Sequence, residues 1–147
     1  MNREQHLALK AELADPKYAG MTNQEKADEV NTGGSGEYSA RKVGIAAVLD
    51  ECTTGTTDGG IILDKLEVVA ASEPKVKWTL KLLDKDGVDI SNTKTVAMID
   101  QLVTATVLTS DEGDALKAMR PEKSIGEVLG IGTIHQGHVA AAEAFVG

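Results

Sequence analysis

Ser39-Ala40-Arg41-Lys42 has the S-x-x-K spacing in which a lysine can activate a serine nucleophile for acyl transfer. That chemistry needs companion S-D-N and K-T-G segments, and neither follows. Ser39 is better read as an N-cap for a helix that begins beside a glycine-rich stretch. Asp84, Asp86 and Asp89 around Gly87 suggest a calcium loop, but Leu82 fills the slot of the first ligand and no closing glutamate follows. A surface turn fits better. His135 and His138 can share one helical face and ligate a metal, yet no third ligand is near in sequence and His6 is remote. The expectation for His135 is a place at or before the cap of the last helix.

"GIGTIH" from Gly130 starts a dinucleotide-loop pattern but carries His135 where its third glycine belongs. "SIGEVLGIGTIHQGHVAAAEA" has the outline of a DNA-reading helical pair. Its last helix, "HVAAAEAFV", offers no Arg, Lys, Asn or Gln to base edges. Cys52 stands alone, which excludes an internal disulfide and favours a small buried hydrophobe. Trp78 fits a core or a contact surface, and both readings stay open. No catalytic, cofactor-binding or metal-binding set emerges, so no enzyme and no cofactor are expected.

The elements around these residues read as helices. A chain of 147 residues forms one domain as a first expectation, with room for a mobile arm and a real core. Aromatic residues make up only 3%, so Leu, Ile, Val and Ala must fill that core. The net charge of −8 repels phosphate backbones and argues against nucleic acid and anionic membranes as partners. "MNREQHLALK" lacks the apolar run of a signal peptide, and no stretch reaches membrane-spanning length. A soluble chain suited to a reducing interior is expected.

"REQHLALKAELA" is a helix with Leu7, Ala11 and Ala14 at helical spacing and Leu9 and Leu13 beside them; Asp15-Pro16 ends it. A turn with Gly20 at positive φ follows, then a T-x-x-E capping box, Thr22 to Glu25, opens a second helix. Tyr18 and Met21 clamp the corner of this hairpin. "NTGGSGE" reads as a flexible linker.

A helix is expected over Tyr38–Cys52 and two more over Ile61–Glu73 and Lys75–Gly87, broken at Glu73-Pro74. The last of these alternates enough to pass for a strand, but Leu82 and Leu83 continue a helical pattern. A further helix buries Val96, Ile99, Leu102, Val103 and Val107. Capping boxes at Thr109/Glu112 and Ser124/Glu127 start two short helices, and an Ala-rich helix follows. The expected fold is all-α: a compact bundle of about six to eight short helices. Residues 1–31 form an N-terminal helical hairpin and possible docking arm, 32–38 a Gly-rich linker, and 39–147 a helical domain.

The chain resembles a group of small proteins encoded by tailed bacteriophages. The likeness rests on Leu9-Lys10-Ala11-Glu12-Leu13, Asp15-Pro16, Tyr18 to Thr22 and Val30-Asn31. "AMIDQLVTATVLTSDEGDALKAM" is similar to the group's M-L-D-x-L-V-x-x-G-V-L-T-x-x-D segment, with Ala105 or Thr106 near its glycine. "KSIGEVLGIGTIHQGHVAAA" resembles the group's closing S-R-A-E-E-L-G segment, with Gln136 and Gly137 in place of the usual polar cap. Thr32 to Asn92 departs from the pattern.

The resemblance implies a non-enzymatic structural component of a virion, in the tail or its tip or neck, assembled in the host cytoplasm. Its partners would be other virion proteins, with multiple copies per particle and no small-molecule substrate. Tyr18, Met21 and Trp78 are the candidate interaction residues, Tyr18 and Met21 serving as anchors if the hairpin docks on a neighbour. The alternative is a small intracellular phage regulator that binds a host protein through its acidic surface. Asp and Glu are scattered from Glu4 to Glu143 rather than gathered on one face.

Overall fold

A computed structural model describes residues 1–32 and 34–146. Gly33, within the expected linker, and Gly147, at the end of the expected helical domain, lie outside the described residues. The chain is all-α. Its elements are α1 (Arg3–Leu13), α2 (Asn23–Asn31), α3 (Ile45–Glu51), α4 (Gly59–Ala70), α5 (Pro74–Lys85), α6 (Thr93–Thr104), α7 (Ser110–Lys117), α8 (Ile125–Val128) and α9 (Gln136–Ala144). Two short strands, β1 (Lys42–Val43) and β2 (Val88–Asp89), pair antiparallel with Lys42 opposite Asp89.

The chain divides into two units, residues 1–37 with 122–147, and residues 38–121. This corrects the expected boundary at the glycine-rich stretch. α1 and α2 both pack on α9, so the hairpin is part of a unit completed by the C-terminal segment and not a free arm. Residues 34–37 are also bonded rather than loose: Ser35 Oγ donates to the Lys123 carbonyl at 2.6 Å and Lys123 N–H to the Glu37 carbonyl at 2.8 Å.

In the 1–37/122–147 unit, α1 turns Leu9 and Leu13 inward, while Leu7, Ala11 and Ala14 face solvent. The inward stripe thus lies one step round the helix from the expected one. Pro16 opens a 3-10 turn that drops Tyr18 into the core, where it is the largest fully buried side chain at 1% exposure. Gly20 takes the expected positive φ of 80°. Val30, Ile134, Val139 and Ala142 close around Tyr18 and Leu9.

The 38–121 unit buries Val48, Ile62, Val76, Leu83, Ile99, Leu102 and Leu116 in one cluster. The expected helix over Tyr38–Cys52 begins only at Ile45, because Lys42 and Val43 are drawn into the strand pair with Val88 and Asp89. Ser39 therefore caps nothing. Its N–H donates to the Pro121 carbonyl at 2.8 Å, and its carbonyl accepts from Ser91 Oγ. The expected helix over Lys75–Gly87 forms as far as Lys85, with Pro74 at the first turn of α5, where its missing N–H costs nothing. Asp86 is the C-cap, and Gly87 leaves the helix at φ 85°.

Of the three expected capping boxes, Thr109/Glu112 closes in both directions. Thr22 and Ser124 accept from the N–H groups of Glu25 and Glu127, giving half of the motif each.

Candidate functional site

The residues with catalytic potential are dispersed into structural roles. Asp89 Oδ1, at the end of β2, accepts from the N–H groups of Ser91 and of Arg41, the residue before β1, which ties the two strands' ends together. His135 stands at the N-cap of α9 and its N–H donates to His138 Nδ1 at 3.0 Å, so the pair shapes a helix start. Among the described residues, no group of three or more His, Cys, Asp or Glu is arranged to hold a metal ion. Cys52 is fully buried with its Sγ 3.4 Å from Met119 Sδ, and burial pushes its thiol up to about 11. At neutral pH it is a protonated thiol without nucleophilic character.

Tyr18 takes the internal role. Its hydroxyl donates to Glu12 Oε1 at 2.8 Å, and Lys17 sits 4.9 Å above its ring. Burial first, then the bond to Glu12, raises the phenol above its ordinary range. Met21 is half-buried against the same cluster. Tyr18 is buried and so serves as the internal clamp of the hairpin and not as a docking anchor, while Met21 keeps a partly exposed surface.

Trp78 is the candidate that reaches the surface. It is 59% exposed on α5, with Lys81 Nζ 4.3 Å and Lys77 Nζ 5.5 Å from the ring centroid. Leu82, one turn on and 51% exposed, continues the face, and Lys81 and Lys85 line the same depression. An indole between ammonium groups keeps an apolar plane available while staying soluble. Val76 and Leu83 anchor the opposite face of α5 in the core, so the helix presents Trp78 on a fixed support.

α4 carries a second exposed stripe. Ile61 is 52% and Val68 76% exposed, and Asp64 lies between them on the same face. The adjoining Lys65 is committed to Glu112 at 2.6 Å. Burial opposes ionisation of Glu112, but Lys65 and the Thr109 N–H outweigh it and hold its carboxyl below the usual range. Sequence reasoning missed Ile61 and Val68. The signal was present: "IILDKLEVVA" has more apolar positions than one helix face can bury.

Among the described residues, no helix is long and apolar enough to cross a membrane. No protein-family model, curated protein or solved structure matches this chain.

Proposed function

We propose that the chain is a non-enzymatic structural component of a tailed-phage virion, in the tail or at its tip or neck. It acts through protein–protein contacts, in multiple copies, and without nucleic acid, membrane or small-molecule substrate. The observation that carries this reading is the Trp78–Leu82 face, an aromatic anchor held at the surface by a helix whose other side is locked in the core. Exposed aromatic residues on rigid supports are the usual centres of protein interfaces, and clustered exposed apolar groups mark them. The resemblance of the two terminal segments to phage-encoded proteins supplies the setting. Repetition supplies strength, since many modest contacts combine when subunits are tethered in one particle.

Quantitative mass spectrometry of gradient-purified particles from the encoding phage tests the reading. The expected result is this chain at a fixed ratio to the major tail subunit, a few copies indicating tip or neck and dozens the tube. Absence from clean particles overturns it.

A further inference from the structure

The two exposed faces of the 38–121 unit have opposite charge. The α4 face presents Ile61 and Val68 with Asp64 between them, Glu67 at its flank and Asp58 at its N-cap. Lys65, the cation that borders this face, is already paired with Glu112. The α5 face presents Trp78 and Leu82 with Lys81 and Lys85 on the same stripe and Lys77 beside the indole; Asp84 also borders it. Ile61 to Val68 and Trp78 to Lys85 each cover two helical turns, about 10 Å of axis. The faces therefore match in length and apolar character, and they complement each other in sign.

We propose that the α4 face of one copy docks on the α5 face of a second copy of this chain. Ile61 and Val68 would cover Trp78 and Leu82, and Asp64 and Glu67 would meet Lys81 and Lys85. At a net charge of −8, two copies repel at long range, and the lysine-bearing α5 face is a place where a second acidic chain can approach. At physiological salt the screening length is about 8 Å, so the distant repulsion fades while the short contacts persist. The contact joins unlike surfaces. It closes as a two-fold pair that uses both faces twice, or it runs head to tail. It stands on the two faces themselves and does not depend on the particle reading.

A charge exchange on the full chain tests it. Asp64→Lys/Glu67→Lys makes both faces basic, and Lys81→Glu/Lys85→Glu makes both acidic. Sedimentation velocity should show concentration-dependent association of the natural chain, and each variant alone should associate at least ~10-fold more weakly. The equimolar mixture should recover association, because each altered face then meets one of opposite sign. Matching circular dichroism and urea midpoints verify that the variants fold. The contact is overturned if the natural chain stays monomeric, if either variant alone associates like the natural chain, or if the mixture behaves as the sum of its parts. Loss of the contact would leave the presence of the chain in particles an independent result.

Discussion

In the unit built from residues 1–37 and 122–147, polar clamps join segments far apart in sequence. Asn31 Nδ2 donates to the Ile134 carbonyl, and Ile134 N–H donates to Asn31 Oδ1, both at 2.7 Å. Lys26 pairs with Glu143, and His6 stacks on Phe145 at 4.8 Å. The unit of residues 38–121 is one continuous segment whose hairpin of α4 and α5 leaves Ile61, Val68, Trp78 and Leu82 at the surface. One unit turns its large aromatic inward at Tyr18, the other outward at Trp78. The difference assigns Tyr18 to folding and makes Trp78 available for recognition.

The same helix ending occurs in both units with different residues. α8 ends with Ile131 N–H bonded to the Gly126 carbonyl and Gly130 N–H to that of Glu127, Gly130 having φ 73°. α6 ends with Val107 N–H bonded to the Leu102 carbonyl and Thr106 N–H to that of Val103. These are two Schellman motifs, and the left-handed residue of the second is a threonine at φ 59°. A β-branched residue there is strained.

The largest expected effect breaks the 38–121 unit at its tightest point. A Cβ on Gly59 would collide with the Val48 carbonyl oxygen and come within 2.9 Å of the Leu49 Cα, so α3 and α4 would have to separate. Gly59→Ala should destabilise by about 3 kcal/mol, read from the urea midpoint. Hydrogen exchange should rise first in α3 and α4.

Asn31→Ala attacks the other unit, leaving a backbone N–H and a carbonyl of Ile134 without their partner. A loss of about 2 kcal/mol is expected, with exchange rising in α2, α8 and α9 and little change in α4 and α5. Uniform acceleration across both units would erase the distinction between them.

Glu112→Gln probes charge. The folded carboxyl lies below its ordinary range, so its ionised form stabilises the fold above the unfolded pKa of about 4.3, and that contribution is lost as pH falls through the folded value. The variant should lose about 1.5 kcal/mol at pH 7. Urea midpoints from pH 7 to 3 should show a smaller acid-induced loss for the variant than for the natural chain.

Thr106→Gly should be the smallest change and the one that stabilises, by about 1 kcal/mol, while Gly130→Ala should destabilise by a similar amount. Thermal melts of the two variants would show opposite shifts. Equal shifts would mean that the two helix endings are not equivalent.

Local signals in the sequence were legible where a few neighbouring residues decide the structure. Asp15-Pro16 ended α1, Thr109 and Glu112 closed their box, and Leu82-Leu83 separated helix from strand in α5. The strand pair was not legible, because Lys42–Val43 and Val88–Asp89 are too short to show a period and each depends on the other. The clamp of Asn31 was hidden for the same reason, since its partner lies 103 positions away. Trp78 was ambiguous in sequence because alternating lysines suit a half-buried strand as well as an exposed helix face. Its surface position follows from Val76 and Leu83 occupying the core side of α5.

The chain contains one tryptophan, so its fluorescence reports on the candidate surface alone. The most direct measurement is Trp78 emission and acrylamide quenching of the full chain across a wide concentration range. A solvent-like spectrum at low concentration that shifts to the blue and resists quenching as concentration rises is the expected result, with both changes absent in Lys81→Glu/Lys85→Glu. A spectrum that stays solvent-like and fully quenchable while sedimentation shows association would contradict the assignment of the α5 face as the contact surface.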